Sequence, residues 1–153
     1  MKYTIIAVGK LKRGFYKQGC DHYLQRLSGL AKAELLEVRD GKGQDANTRK
    51  HAESDTLLAQ SSGYRIALDE RGKTLTSVHM AEMMTTLENR AISQVSLLIG
   101  GAEGHSDTLR DSCEVSWRLS DLTLPHELAR LVLLEQLYRA ETIRANHPYH
   151  REG

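Results

Sequence analysis

The last residues of the chain concentrate side chains that can act on a polar ring or hold a phosphate. Residues 146–151 read NHPYHR, which places Tyr149, His150 and Arg151 side by side. A phenol can stack on a base or hydrogen-bond to it, an imidazole can exchange a proton near neutral pH, and a guanidinium can bind phosphate. Arg139, on the preceding apolar segment, would add a second positive charge. These residue types predict a functional tail, although chain ends are usually mobile and expendable.

A glycine-rich loop forms the second group of interest. The apolar run Leu97–Ile99 leads directly into Gly100–Gly104, with sequence GGAEG. Glycines have no Cβ and expose backbone N–H groups, so a ligand can approach the main chain closely. The loop lacks the Gly-Lys-Ser/Thr of a P-loop and the register of a dinucleotide-binding G-x-G-x-x-G. A tight turn between a strand and a helix is the alternative interpretation.

No metal site is expected from the spacing of possible ligands. His147 and His150 stand three positions apart, but Pro148 between them disfavours a helix and no third ligand follows nearby. Cys20 and Cys113 lie far apart and form no CxxC or Cys/His pattern. Such cysteine usage is typical of a reducing cytoplasmic compartment and argues against zinc.

The overall charge does not indicate a nucleic-acid-binding protein, because 21 Lys and Arg nearly balance 20 Asp and Glu to leave +1. Positive charge is nevertheless clustered near the start, at Lys10, Lys12, Arg13 and Lys17. A local patch can bind phosphates even when the total is near zero, although a solvated helix face is the alternative. The apolar opening Met1–Gly9 is too short for a signal peptide or a membrane span. One cytoplasmic domain over residues 1–153, without a membrane segment, is therefore predicted.

Short apolar runs alternate with helical patterns along the chain, which favours an α/β fold with a mostly parallel sheet. In such sheets the ligand crevice lies beyond the carboxyl ends of the strands. The loops at residues 69–72, 100–105 and 120–124 are therefore the expected site. The predicted strands are Tyr3–Val8, Leu35–Val38, Arg65–Leu68, Val95–Ile99 and Val115–Leu119. The predicted helices are Tyr16–Leu27, Asn47–Gln60, Ser77–Arg90, a short turn at Ser106–Ser112, and Pro125–Ala145, with Ser77 as an N-cap and Pro125 in the first helical position.

The last predicted helix carries more apolar surface than one interface needs. One stripe includes Leu128 and Leu131, and another includes Val132, Leu133 and Leu137. A surface helix normally has a single apolar stripe, so two stripes imply burial on both sides. We expect a second subunit on the extra face; a helix enclosed within the monomer is the alternative.

Several long segments together resemble one enzyme family, the small SPOUT-class methyltransferases that modify a pseudouridine in large-subunit ribosomal RNA. The resemblance is carried by Val95–Gly104 (VSLLIGGAEG), Leu119–Glu135 (LSDLTLPHELARLVLLE), Gln136–Ala140 (QLYRA) and Asn146–Glu152 (NHPYHRE). The opening Ile6–Lys12 and the segment Leu68–Lys73 look like the same family, so the match spans nearly the whole chain.

The resemblance implies a SPOUT-type α/β fold with a C-terminal trefoil knot, one of the rare exceptions to unknotted chains. It also implies an obligate homodimer and S-adenosylmethionine bound in the knot. Backbone groups of the loops could hydrogen-bond the adenine, while leucines supply apolar walls. Transferred by position, the cofactor site comprises Leu68, Gly100, Leu119, Ser120, Asp121, Leu122, Thr123 and Leu124.

The reaction implied by the resemblance is methylation of N3 of a pseudouridine in 23S ribosomal RNA, on assembled ribosomes. The N3 proton must be lost, and Arg139, Tyr149, His150 and Arg151 are the expected catalytic residues, with the partner subunit as one possible source. Two alternatives stay open: a SPOUT methyltransferase for another RNA nucleotide, and a non-catalytic RNA-binding protein associated with ribosomes.

Overall fold

Strands and helices alternate along residues 1–151, the part of the chain that the computed structural model describes. The predicted α/β class is therefore confirmed, and each predicted strand and helix has a counterpart. The strands are β1 (Lys2–Val8), β2 (Lys32–Val38), β3 (Tyr64–Thr74), β4 (Gln94–Ile99) and β5 (Val115–Arg118). The helices are α1 (Gly14–Ser28), α2 (Ala46–Gln60), α3 (Ser77–Asn89), α4 (Asp107–Ser112) and α5 (His126–Arg144).

The strands form one sheet in the order β2-β1-β4-β3-β5, and every neighbouring pair is parallel. Because all strands point the same way, the segments that follow β1, β3, β4 and β5 emerge at one edge of the sheet. That edge collects the three loops expected to form the site. The trefoil knot implied by the resemblance stays a prediction.

The two faces of the sheet pack against different helices. Along β1, Tyr3, Ile5 and Ala7 belong to a core cluster with α1, α3 and α5, whereas Ile6 and Val8 belong to a second cluster with α2 and α4. This alternation is the period of two expected when both faces of a parallel strand are buried. No helix within residues 1–151 is long and apolar enough to cross a membrane.

Three predicted helix starts need small corrections. Thr76, not Ser77, is the N-cap of α3, because its hydroxyl accepts the N–H of His79 at 3.1 Å. Pro125 occupies the N-cap position of α5 in an extended conformation, and the helix begins one residue later. Ser106 caps a true helix at Asp107–Ser112 rather than a turn. Neighbouring Ser and Thr residues offer the same cap chemistry, so only the local backbone decides between them.

Strand β3 extends further than predicted, since residues 69–72 were expected to form a loop. The strand pairs with β5 up to Leu68, loses register, and pairs again when Lys73 lies beside Trp117. Gly72 passes so close to β5 that a Cβ would lie 2.6 Å from the backbone carbon of Trp117. Residues 69–72 therefore form a β-bulge in β3, which packs against β5. The local sequence did not predict this bulge.

Helix α5 packs between α1 and α3. This enclosure within the monomer is the alternative interpretation of its two apolar stripes. Leu133 and Leu137 are fully buried in the core. Leu128 and Val132 are only half-buried and belong to neither core cluster. Part of the apolar surface of α5 is therefore not used within the monomer.

A fully buried guanidinium ties α5 to the ends of β1 and β2. Arg130 is 0 % exposed, and its Nη1 donates to Oε2 of Glu37 at 2.7 Å. Its Nη2 donates to the backbone oxygens of Val8 (3.4 Å) and Gly9 (3.2 Å). Its Nε has no hydrogen-bond partner among the described residues, so the bonds at Nη1 and Nη2 offset most but not all of the cost of burying this cation. They hold the start of α5 against the sheet edge where the loops emerge.

We expect Arg130→Met to lower the free energy of unfolding by about 2 kcal/mol or more, because two strand-end carbonyls lose their donor. Urea unfolding followed by circular dichroism measures the change at a fixed protein concentration. Arg90→Met, at an exposed position after α3, is the matched control and should change stability by less than about 0.5 kcal/mol. Equal stability of the two variants would contradict the structural role of Arg130.

Candidate cofactor site and C-terminal cluster

A cavity of about 600 Å³ opens at the carboxyl edge of the sheet. This volume lies within the range of small-molecule sites in proteins. Its walls come from the end of β3, the glycine loop after β4, the turn after β5 and the first turn of α5. The lining residues are Lys50, Leu68–Arg71, Ile99–His105, Trp117–Ser120, Leu122–His126 and Ala129.

All the expected cofactor residues except Asp121 line this one cavity: Leu68, Gly100, Leu119, Ser120, Leu122, Thr123 and Leu124. Asp121 is not among the lining residues. Its carboxylate pairs at 3.1 Å with the guanidinium of Arg118, which does line the cavity, and its side chain is 79 % exposed. Asp121 therefore lies beside the site, with its carboxylate engaged by a residue of the cavity wall.

The chemistry of the walls fits a nucleoside-containing ligand. Leu68, Leu119 and Leu124 offer apolar contact for a flat ring, while the glycine loop offers backbone hydrogen-bonding groups. Leu122 is 76 % exposed beside the cavity, which is unusual for a large aliphatic side chain. A bound ring would cover it. Gly104 has φ +76° and free space where a Cβ would stand, so the loop can turn sharply there.

A buried histidine, His105, forms part of the cavity wall. His105 is 3 % exposed, and its Nε2 lies 3.0 Å from the backbone oxygen of Leu98. A carbonyl only accepts, so Nε2 carries the proton, while Nδ1 has no hydrogen-bond partner among the described residues. Burial lowers the pKa of His105, and the ring is therefore neutral at neutral pH. A Cβ on Gly100 would lie 3.2 Å from this ring, so the two residues are in contact.

Two residues of α2 contact the glycine loop, Glu53 at Gly101 and Arg49 at Glu103. Glu53 is 4 % exposed and accepts the N–H of Gly41 at 2.9 Å, and burial raises the pKa of its carboxyl group. A Cβ on Gly101 would lie 3.0 Å from Oε1 of Glu53, so only a glycine passes there without displacing it. Glu103 pairs with Arg49 at 3.0 Å. These contacts hold the loop in place before any ligand arrives.

The C-terminal segment folds back onto α5 and gathers around Glu135. The Glu135 carboxylate accepts hydrogen bonds from Arg139 (Nη2, 2.6 Å) and from the Tyr149 hydroxyl (3.1 Å). The Arg139 guanidinium lies 4.8 Å from the centre of the Tyr149 ring and 3.2 Å from Nδ1 of His150. Arg139, Tyr149 and His150 are therefore one cluster. Arg151 is exposed next to it.

The hydrogen bonds in this cluster decide which groups hold protons. Burial, followed by the contacts with Tyr23 and Glu135, raises the pKa of Tyr149 to about 12. Its phenol therefore keeps its proton at neutral pH and acts as a donor. A guanidinium only donates, so Nδ1 of His150 must be the acceptor of its contact with Arg139. In this arrangement His150 is the tautomer with the proton on Nε2.

The cluster and the cavity of one chain are well separated. Ala129 lines the cavity, whereas Arg139 lies about 15 Å further along the same helix at 1.5 Å per residue. None of the expected catalytic residues borders the cavity of its own chain. Among residues 1–151, no group of three or more His, Cys, Asp and Glu side chains is arranged to hold a metal ion.

Sequence reasoning overlooked two residues of these sites. No role in the site was predicted for Glu135, although its position four residues before Arg139 is the spacing of a helical ion pair. His105 was seen only as the end of the glycine loop, and its burial could not be inferred from its neighbours. The first had a local signal in the sequence, and the second had none.

Comparison with known proteins agrees with this geometry. A family model described as predicted SPOUT methyltransferase matches residues 1–150. A protein of Gloeobacter violaceus named ribosomal RNA large subunit methyltransferase H is 40 % identical over 152 residues, covering 98 % of this chain and 99 % of the relative. A protein of the same name from Thermus thermophilus is 38 % identical over 152 residues, covering 99 % of both chains.

Similarity to a solved structure supports the fold alone. A probable methylase family protein from Haemophilus influenzae superimposes with a TM-score of 0.54 at 11 % identity, covering 99 % of this chain and 70 % of that one. The full-length family match and the relatives near 40 % identity carry the assignment. The chain belongs to the SPOUT methyltransferase family.

Proposed function

We propose that the protein transfers a methyl group from S-adenosylmethionine to N3 of a pseudouridine in the 23S RNA of the large ribosomal subunit. The observation that carries this proposal is the cavity at the carboxyl edge of the sheet, built from the loops expected for the cofactor in a member of the SPOUT methyltransferase family. Relatives at 38–40 % identity are named as ribosomal RNA large subunit methyltransferases. The enzyme would act in the cytoplasm as one domain over residues 1–153.

The cofactor would be held by the residues that line the cavity. Leu68, Leu119, Leu122 and Leu124 would enclose the adenine, and the backbone of Gly100 and residues 120–123 would supply its hydrogen bonds. When bound, S-adenosylmethionine supplies a methyl group on a sulfonium that is already a strong electrophile. The protein therefore has to align the reacting atoms and exclude water rather than activate the methyl group.

The C-terminal cluster would act on the base. The guanidinium of Arg139 would stabilise the negative charge that appears when N3 loses its proton. The Tyr149 phenol, which stays protonated, would stack on the base or donate a hydrogen bond to it. His150 could accept the proton only after Arg139 releases Nδ1, and binding of the base could cause this exchange. Arg151 would contact a nearby phosphate.

A homodimer would unite the two halves of the site. Phe15 at the start of α1 is 61 % exposed, and half-buried Leu128 and Val132 lie on the neighbouring α5. Glu127 of α5 accepts the N–H of Lys12, two residues before α1 begins, so the starts of the two helices are joined. The exposed side of these two helix starts is the face proposed for the dimer. A two-fold axis perpendicular to α5 would place this face against its copy and make the two α5 helices antiparallel. The tail of one subunit would then lie beside the cavity of the other.

One experiment distinguishes the proposed reaction from its two alternatives, which are methylation of a different nucleotide and a non-catalytic role. Mass mapping of modified nucleotides in ribosomes from cells with and without the protein would locate the methyl group. Loss of N3-methylpseudouridine without the protein supports the proposal. Loss of a different methylation would identify another substrate nucleotide, and an unchanged pattern would favour a ribosome-associated protein that no longer catalyses.

The cofactor assignment predicts that Leu122→Ala weakens binding of S-adenosylmethionine about tenfold, because a bound ring would cover that side chain. Stability should barely change, since Leu122 is 76 % exposed. Isothermal titration calorimetry measures the affinity. Leu30→Ala, at 42 % exposure outside the cavity, is the matched control. Equal affinities of the two variants for S-adenosylmethionine would show that Leu122 does not contact the cofactor. If the unmodified protein does not bind S-adenosylmethionine, the methyltransferase proposal is refuted.

The tail assignment predicts that Arg139→Gln, Tyr149→Phe and His150→Gln each slow methyl transfer to ribosomes about a hundredfold, the scale of one lost acid–base or electrostatic contribution. Cofactor affinity and dimerisation should be unchanged. Single-turnover transfer of a radiolabelled methyl group measures the rate, and His79→Gln on the exposed side of α3 is the control. Full activity of a chain truncated after Pro148 would show that the tail is only a terminus.

A composite site predicts complementation between two inactive subunits. Gly100→Val should abolish cofactor binding, because a side chain there meets the Gly104 carbonyl group and the His105 ring. Arg139→Gln should disable the tail. In a heterodimer of the two, one site would combine an intact cavity with an intact tail, so random mixing should restore roughly one quarter of the wild-type activity if dimers form statistically. No recovery would mean that each subunit uses its own tail.

A further inference from the structure

The loop after β1 has a rigid backbone. The N–H of Gly9 bonds to the Val38 oxygen at 2.8 Å, and its own oxygen accepts from the buried Arg130. The N–H of Leu11 donates to Glu37 at 3.0 Å. The N–H of Lys12 donates to Glu127 at the start of α5. A surface loop held at so many points presents its side chains in a fixed arrangement.

The cationic side chains of this loop are free although its backbone is fixed. Lys10, Lys12 and Arg13 are exposed, and none of the ion pairs within residues 1–151 includes them. Two neighbouring carboxylates already accept other hydrogen bonds: Glu37 from Arg130 and Leu11, and Glu127 from the loop backbone. A third carboxylate, Asp40, lies beside Gly9, where a Cβ would stand 3.2 Å from its Oδ1, but it forms no ion pair with the loop among residues 1–151. Three positive charges therefore face solvent without a partner in a protein whose total charge is only +1.

This cationic loop, residues 10–13, is tied to α5 one residue from the cavity wall. Glu127, which accepts the N–H of Lys12, directly follows His126, which lines the cavity. The loop leads into the first turn of α1, which contains no acidic residue and receives no side-chain cap from Arg13. The positive N-terminal end of α1 adds to the field of the three cations. An anion is therefore favoured at this point of the surface.

We propose that Lys10, Lys12 and Arg13 bind the phosphodiester backbone of the ribosomal RNA beside the target nucleotide. This inference rests on the proposed function, because it takes that RNA as the anionic partner. Three exposed, unpaired cations on an anchored backbone suit a chain of phosphates, whose spacing repeats and whose charge carries no sequence information. Such contacts fix the position of the RNA backbone on the protein, so that the target base enters the cavity. Base pairing elsewhere in the ribosomal RNA then determines which nucleotide is presented.

The test compares two variants with identical net charge. One is the triple substitution Lys10→Gln, Lys12→Gln and Arg13→Gln in the loop. The control is Lys2→Gln, Lys32→Gln and Arg90→Gln, exposed cations at or near the opposite, amino edge of the sheet. Binding of each dimer to purified ribosomes and large subunits is measured by sedimentation at several salt concentrations. Affinity for S-adenosylmethionine is measured by calorimetry on the same samples.

We expect the loop variant to bind the ribosomal particles at least tenfold more weakly at low salt. The slope of log affinity against log salt should become shallower by about 2, since each lost phosphate contact removes roughly 0.7–0.9. Cofactor affinity should stay within about twofold of the unmodified protein, because no substituted side chain lines the cavity. The control should retain both the affinity and the slope.

The possible failures are distinguishable. If the loop variant binds as tightly as the control and with the same salt slope, the loop does not hold RNA, whereas cofactor binding and methyl transfer can still support the proposed function. Equal weakening of both variants would reflect general charge and would also overturn the inference. If the unmodified protein neither binds nor methylates ribosomal particles, the proposed function itself fails, and the inference fails with it.

Discussion

The buried guanidinium of Arg130 is the interaction on which the geometry of the site depends. It joins α5 to Glu37 of β2 and to the backbone oxygens at the end of β1, in a position with no solvent exposure. Desolvation of a cation is expensive, and here the hydrogen bonds to one carboxylate and two carbonyls offset much of that cost, although the buried Nε has no partner among the described residues. Because α5 connects the cavity with the C-terminal cluster, this one side chain sets where both halves of the site lie relative to the sheet.

The cavity follows from two further constraints. Parallel strands send their carboxyl ends to one edge, so the loops after β3, β4 and β5 meet without any special sequence signal. The glycine loop then has to pass the Glu53 carboxylate and the His105 ring, where a side chain on Gly101 or Gly100 would collide. The loop is held by the Arg49–Glu103 ion pair and packs against Glu53 at Gly101, so little ordering remains when a ligand binds.

The cavity and the C-terminal cluster lie about 15 Å apart along α5. Tyr149 is held on α5 by Glu135, so the cluster does not reach the cavity of its own chain. In the proposed dimer an antiparallel copy of α5 would close that distance. The cationic loop after β1 contacts the N-terminal end of α5, where the partner's tail would lie in the proposed dimer. The cofactor, the target base and the RNA backbone would then all bind near this end of α5.

The sequence by itself determined the secondary structure and the loops of the site, because both depend on local pattern. Apolar periodicity located the strands and helices, and the order of elements placed the three loops at one edge, where all but one of the expected cofactor residues line the cavity. Only the tertiary structure decided what depends on distant neighbours. The pairing of Lys73 with β5 turned an expected loop into strand, and the Asp121 carboxylate pairs with Arg118 of the cavity wall and does not itself line the cavity. The contacts of Glu135 with Tyr149 and of Arg130 with β1 bridge long chain separations, and no local pattern encodes which partner such side chains will find.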